Sequence, residues 1–187
     1  KLIGTVLVLA AWVLGFVWIG DSWWQLAMAA ALAILMTQAA FLGHDAAHRQ
    51  IFRSGRWNDW VSLIVANLLV GISYAWWQGK HTRHHAAPNH EGVDPYIALR
   101  AIAMTPSMAR RHRTKFMRWL VDHQGWYFFP LLFLQGISMH VDGIRRVMSR
   151  DRVRRRWVEA GFLALRLGGL LALVLVGVCA GFLPFNW

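Results

Sequence analysis

Five of the nine histidines fall in two tight groups, and imidazoles at helical spacing are the raw material of a metal site. The first group is His44-Asp45-Ala46-Ala47-His48, whose i, i+4 spacing sets both rings on one helix face, a turn apart. The second is His81-Thr82-Arg83-His84-His85, where i, i+3 and i+4 bring three rings into one sector of a helix. Imidazole suits iron, zinc, copper and nickel. A single pair is common in exposed loops. Two groups, each where an apolar segment ends, are not explained by helix propensity or core packing. His44-Asp45-x-x-His48 stands near the HExxH pattern of zinc proteases, with Asp in place of the Glu general base, so a zinc-dependent intramembrane protease is one reading. A catalytic zinc takes three protein ligands and keeps one position open. Five histidines oversupply it and fit a two-metal centre better. A metal-transport or metal-sensing membrane protein is a non-enzymatic reading. Transport favours ligands facing each other across spans with polar residues at the bilayer midplane, whereas these histidines are peripheral to the apolar blocks.

Those blocks must position the histidines. The chain has 187 residues and is 57% hydrophobic, yet carries a formal net charge of +11. Its apolar residues are concentrated in runs: Leu2 to Ile19, then Trp23 to Leu42 broken by Gln25, Thr37 and Gln38, then Ala160 to Leu183 with the single charge Arg166. About 20 apolar residues span the hydrocarbon core as a helix, the form in which a segment satisfies its own backbone in lipid. The expected architecture is an all-α integral membrane protein in one domain over 1–187, with spans near 2–19, 23–42 and 160–183. The first run lacks a long basic flank and a small-residue cleavage site before Asp21, so it reads as a span and not as a signal peptide. The lone cysteine, Cys179, excludes a disulfide framework and a CxxC metal site. In a soluble protein the basic excess would suggest nucleic acid; here it reads as orientation, and no nucleic-acid partner is expected. The start at Lys1 and the stop at Trp187 read as the edges of a piece of a longer protein.

Basic residues are scarce before Arg49 and then recur, clustering at Arg110 to Arg118 and at Arg145 to Arg156. The positive-inside rule puts these loops in the cytoplasm. The first two spans then form a hairpin that turns outside at Asp21-Ser22, flanked by Trp18, Trp23 and Trp24 at the interface. Two shorter apolar stretches, 61–77 and 125–139, are expected to be interfacial or re-entrant. Crossing at 61–77 would separate His44 from His81, and crossing at 125–139 would put the second basic cluster outside.

HxxxH at the end of a transmembrane helix, followed about thirty residues later by Trp76-Trp77-Gln78-Gly79-Lys80-His81-Thr82-Arg83-His84-His85, resembles the first two histidine boxes of membrane fatty acid desaturases. Gly43-His44-Asp45-Ala46-Ala47-His48 and His84-His85-Ala86-Ala87-Pro88-Asn89 resemble bacterial acyl desaturases related to the front-end group. The resemblance covers nearly the whole chain as about the N-terminal two-thirds of such an enzyme. The family's third box, of HxxHH or QxxHH type, is absent from these 187 residues, so the piece alone is expected to be inactive. Relatives often carry Asp-Pro-Asp where this sequence has Asp94-Pro95-Tyr96, and Asp94 is assigned no role on that ground.

The resemblance implies an O2-dependent desaturase acting in lipid metabolism on an acyl-CoA or acyl-lipid. Its cofactor would be two iron ions held by His44, His48, His81, His84 and His85, with no catalytic side chain beyond the ligands. It would sit in the cytoplasmic membrane of a bacterium, among membrane lipids, with a cytoplasmic histidine-box cap. Ferredoxin, or cytochrome b5 with its reductase, would supply electrons. Asp45, Asn89 and His90 are candidates for supporting the ligands, and Trp76 and Trp77 for lining an acyl tunnel. His112 and His123 read as solvated or interfacial, and His140 as locally hydrogen-bonded. Hydroxylation of alkanes, sterols or carotenoids on the same scaffold is the nearest alternative.

Overall fold

The computed structural model describes residues 1–98, 102–111 and 114–179, and among these every regular element is helical, with no strand. His112, Arg113 and positions 180–183 of the third apolar run lie outside the described residues. Among the described residues, three helices are long and apolar enough to cross a membrane: α1 (Leu2–Ile19), α2 (Trp24–Ala47) and the Arg156–Val176 part of α8 (Arg156–Cys179). The chain forms two compact units, residues 1–74 with 151 onward, and residues 75–150.

In the first unit, α1 buries none of its residues, and large apolar side chains such as Ile3, Leu14 and Val17 face outward. Outward-facing leucines and valines are costly in water and neutral in lipid. Gly20, at φ 62, ends α1 in a left-handed conformation that suits glycine. The Gln25 side chain then donates from Nε2 to the carbonyls of Phe16 (3.0 Å) and Gly20 (2.8 Å). These are carbonyls that the end of a helix leaves unpaired, which gives a polar residue in an apolar run a definite task. Trp12 Nε1 donates to Met28 O (2.9 Å) and ties the hairpin further down.

The far end of α2 is the buried end. Ala39, Leu42, Gly43 and Ala46 are buried on one face at i, i+3, i+4 and i+7. They pack against α3 (Gly55–Leu63) and the π-helical segment that continues it, Ile64–Val70. Contact is close at Gly43, where a β-carbon would lie 2.8 Å from Val65 Cγ1. The π segment stops at Gly71, at φ 90, so the apolar stretch 61–77 is two helical pieces and not one. Hydropathy does not register a left-handed residue, which is why the stretch reads as continuous in sequence.

The break is fastened by a buried polar knot. Glu159, 2% exposed on α8, accepts from Asn67 Nδ2 (3.2 Å) and Ser73 Oγ (2.6 Å). Asn67 Oδ1 in turn accepts the backbone N–H of Tyr74 (3.3 Å), the first residue of α4 (Tyr74–Ala86). That N–H has no partner within its own helix.

In the second unit, α4 continues to Ala86, followed by a turn-rich loop and the short helices α5 (Pro106–Arg110) and α6 (Lys115–Asp122). Thr105 and Thr114 cap α5 and α6, their hydroxyls accepting from Met108 N and Met117 N, each at 3.2 Å. The stretch 125–139 lies inside a longer helix, α7 (Gln124–Met148), which runs through Pro130 and carries its charged tail Asp142 to Arg146 in the same helix. Gln124 pairs its side-chain amide with both backbone groups of Ala103, at 2.9 and 3.1 Å.

Candidate metal-binding histidines

His44 sits in the last turn of α2 and His48 caps it. Their ring centroids are 4.5 Å apart, as i, i+4 geometry demands, and each offers a ring nitrogen within 4.8 Å of the other's. Neither ring is deeply buried: His44 is partly exposed and His48 exposed. What fixes them is the backbone beneath. Gly43 against Val65, and the Ser62 hydroxyl on Gly43 O at 3.2 Å, seat the last turns of α2. Asp45 points elsewhere. Its carboxylate pairs with Lys1 Nζ at 2.8 Å, and lies 3.9 Å from His44 Nδ1, beyond hydrogen-bond reach.

On α4 the second group is organised more tightly. His81 Nε2 and His85 Nε2 approach to 3.0 Å. Two ring nitrogens that close either share a proton or turn their lone pairs to a common cation. Trp77 stacks on His81, with centroids 4.4 Å apart and planes 19° from parallel, and the Tyr96 hydroxyl lies 3.4 Å from His81 Nδ1. The His84 ring lies 6.3 Å from that of His81 and 5.8 Å from that of His85, with its Nδ1 2.8 Å from Asp94 Oδ2.

Asp94, which the sequence motif gave no role, is the carboxylate that meets this group. It is fully buried. Its Oδ2 also accepts from Asn89 N, and its Oδ1 from Tyr96 N, both at 2.8 Å. Burial alone would push its carboxyl up; the hydrogen bonds from Tyr96, Asn89 and His84 outweigh it and hold the group below the ordinary aspartate range. An ionised carboxylate accepts only, so His84 donates to it from Nδ1, the arrangement in which a neutral imidazole offers its Nε2 to a metal. A carboxylate behind a ligating imidazole is the usual orienting arrangement. The available signal was the Asp-Pro turn ten residues after His84. Asn89 does contribute, through its backbone and its left-handed φ of 61, not through its side chain. His90 is exposed, and its ring donates from Nδ1 to Glu91 O at 3.0 Å. Of the remaining histidines, His123 and His140 donate to the carbonyls of Trp119 (2.8 Å) and Gly136 (2.7 Å) on their own helices.

Beside this group is an apolar hollow of about 590 Å³. Trp76, Trp77 and Lys80 of α4 form one wall, Tyr96 closes it, and residues of α7 including Phe128 and Leu131 form the other. Lys80 Nζ lies 4.7 Å from the Tyr96 ring centroid and 5.4 Å from that of Trp76, within cation–π range. Trp77 thus meets both the hollow and His81.

A family model described as fatty acid desaturase matches residues 21–187. Among curated proteins, the chain is 30% identical over 191 residues to Delta(8)-fatty-acid desaturase 2 of Arabidopsis thaliana, covering 96% of this chain and 41% of that protein. It is 35% identical over 155 residues to Fatty acid desaturase 3 of Bos taurus, covering 80% of this chain and 33% of that one. Delta(8)-fatty-acid desaturase of Helianthus annuus matches at 27% over 161 residues, 80% of this chain and 35% of that protein. The chain therefore spans between about a third and two fifths of the length of these relatives. No solved structure matches it.

Proposed function

The chain belongs to the fatty acid desaturase family, and from that premise we propose that it is the histidine-box portion of an O2-dependent, di-iron fatty acyl desaturase. The observation that carries the reading is the ligand geometry within each group. His44 with His48, and His81 with His85, stand as close imidazole pairs at helical spacing, and His84 is held by a buried carboxylate. Five neutral nitrogen donors suit iron, and Asp94 adds the orienting partner such a donor expects. Further ligands would come from the rest of the protein.

The reaction removes two hydrogens from adjacent methylenes and leaves a cis double bond; O2 takes up those two hydrogens with two further electrons and two protons, giving two waters. When bound, the two irons supply the O2 activation, which no side chain can provide. The chain's own residues hold and aim. Asp94 keeps the His84 proton on Nδ1. Trp77 fixes the plane of the His81 ring, and the hollow walled by Trp76, Trp77, Tyr96 and Phe128 takes the acyl chain and excludes water.

The same reading puts both histidine groups on the cytoplasmic face of a bacterial membrane, with 61–77 and 125–139 returning to that face without crossing. Ferredoxin, or cytochrome b5 with its reductase, would be the donor docking there. Labelling of cysteines engineered at Asp59 and Lys80 from outside intact cells would overturn this placement. The deciding experiment is a fatty acid profile by gas chromatography–mass spectrometry, with the full-length gene in a bacterial host beside its His84→Ala variant. A new unsaturated acid that vanishes in the variant is expected. Hydroxylated products in its place would move the assignment to a hydroxylase.

A further inference from the structure

The first unit holds a second polar site that owes nothing to the histidines. Four arginines line a hollow of about 580 Å³: Arg49 after α2, Arg56 on α3, and Arg154 and Arg155 just ahead of α8. We propose that this hollow binds the phosphate of an anionic membrane lipid, one headgroup per chain.

Charge is the first support. The lining includes a single carboxylate, Asp59, and Arg154 Nη1 engages it at 3.1 Å. Four guanidinium groups against one carboxylate leave a strong positive excess. Guanidinium is the side chain whose planar fork matches phosphate oxygens two at a time.

Preorganisation is the second. Arg49 has φ 59, a left-handed conformation that residues with a β-carbon rarely adopt, and its N–H is bound to Ala46 O at 2.8 Å. The loop from Arg49 to Arg56 is pinned by Asn58, which is fully buried. Asn58 Oδ1 accepts from Ile51 N (3.3 Å) and Phe52 N (3.0 Å), and its Nδ2 donates to Phe52 O (2.6 Å) and Ser54 O (3.0 Å). The Arg155 guanidinium carbon lies over the Trp60 ring, 4.5 Å from its centroid. A loop this well satisfied, presenting an arginine from a strained backbone position, has the form of a site built for a ligand. Topology signalling alone would need only basic residues scattered near the spans.

Placement is the third, and it selects a lipid over a soluble anion. Arg49 lies two residues past the end of α2, and Arg154 and Arg155 lie within two residues of the start of α8. Both helices are long and apolar enough to cross a membrane. The arginines therefore sit at the level where lipid phosphates lie. The inference does not depend on the metal centre or on the desaturase reading.

The test uses the purified full-length protein in neutral detergent, with lipid binding followed by native mass spectrometry. The probes are dioleoyl phosphatidylglycerol, dioleoylglycerol as the phosphate-free counterpart, and inorganic phosphate as competitor. One phosphatidylglycerol should be retained per chain, with dioleoylglycerol not retained. Arg56→Gln should weaken binding about tenfold, the loss of one charge-assisted hydrogen bond. Arg49→Gly should weaken it similarly while melting no lower than the parent, because glycine accepts the left-handed conformation. The variant Arg145→Gln, on α7, removes the same single charge and should change binding less than twofold. Equal losses in the α7 variant would reduce the effect to diffuse surface charge and overturn the site. Absence of a saturable lipid would overturn it too, and displacement by an equimolar amount of inorganic phosphate would overturn the assignment to lipid.

Discussion

Asp94 and Glu159 are both buried carboxylates, with no and 2% exposure, yet they do opposite work. Glu159 receives the side chains of Asn67 and Ser73, and through Asn67 it fastens the first residue of α4. These donors belong to the scaffold. Asp94 receives two backbone N–H groups from its own loop, and also meets the ring of His84, one of the candidate metal-binding histidines. Both meet the rule that a buried charge must be hydrogen-bonded. The lesson is that burial and satisfaction do not identify function; the identity of the last partner does. A carboxylate closed on amide and hydroxyl is a fastening, and one closed on an imidazole tunes that imidazole.

Removing each carboxylate tests this directly, and the larger effect belongs to Asp94. In the full-length protein, Asp94→Ala should lower iron affinity by about 10–100-fold, the usual cost of losing a partner behind a ligating histidine. Iron per chain and the unsaturated product should fall together, while helix content by circular dichroism stays close to that of the parent. Asp94→Asn should fall between, since an amide oxygen can still accept from one backbone N–H. Glu159→Ala should do the reverse. It strands the Asn67 amide and the Ser73 hydroxyl in a buried site, at about 1–3 kcal/mol per stranded group. The melting temperature should drop while iron per folded molecule holds. If Glu159→Ala lost its iron without a change in melting, the two carboxylates would not divide the work in this way.

Much of this was legible in the sequence, and the gaps have physical reasons. The first apolar run coincides with α1, because in lipid the apolar run is the helix. The second helix runs past the apolar run to Ala47, since its last turns are stabilised by burial of Gly43 and Ala46 and not by hydropathy. The i, i+4 spacings did place His44 by His48 and His81 by His85. They also kept the His84 ring beside that second pair, 6.3 and 5.8 Å from its members, but helical periodicity alone cannot see the carboxylate ten residues along that meets it. Glu159 was invisible for a related reason. It stands at the margin of an apolar run among arginines, where a surface ion pair is the natural expectation, and its true partners lie 92 and 86 residues away. The break at Gly71 was marked only by one glycine in an apolar stretch.

A smaller effect probes the scaffold side of the comparison without touching a polar group. Gly43→Ala would place a β-carbon 2.8 Å from Val65 Cγ1, one residue from His44. The valine must turn or the helices must part, at about 1–3 kcal/mol for an overpacked contact. Thermal melting of the full-length protein should show the cost. Gly43→Ala together with Val65→Ala should recover most of it by giving the methyl room. A double variant no more stable than the single one would show that close helix approach at Gly43 is not what seats the end of α2.

The smallest effect concerns a third carboxylate, Glu91, which is only partly buried. It accepts from the hydroxyls of Ser107 and Thr105 and pairs with Arg111 at 2.8 Å, latching the segment 105–111 to the loop after α4. The Ser107 and Thr105 hydrogen bonds, then the arginines, hold its carboxyl below the ordinary glutamate range against a smaller opposing push from burial. A group whose folded pKa is depressed contributes stability above its unfolded pKa and loses it as pH falls through the folded one. The latch should therefore be constant from neutral pH down to the ordinary glutamate range, and loosen only below it. Hydrogen exchange at Met108 and Ala109, corrected for intrinsic rates, reads this directly, since Met108 N donates to Thr105 Oγ1 and Ala109 N to Thr105 O. Protection should hold through that range and then decay, while in Glu91→Gln it should be weaker and independent of pH throughout. The change is small because water screens a half-exposed pair. With Glu159, it gives a graded series of scaffold carboxylates in which stability rests on the carboxylate in proportion to how far water is excluded from it. Protection in the parent that faded already above the ordinary glutamate range would break that series at its weakest member.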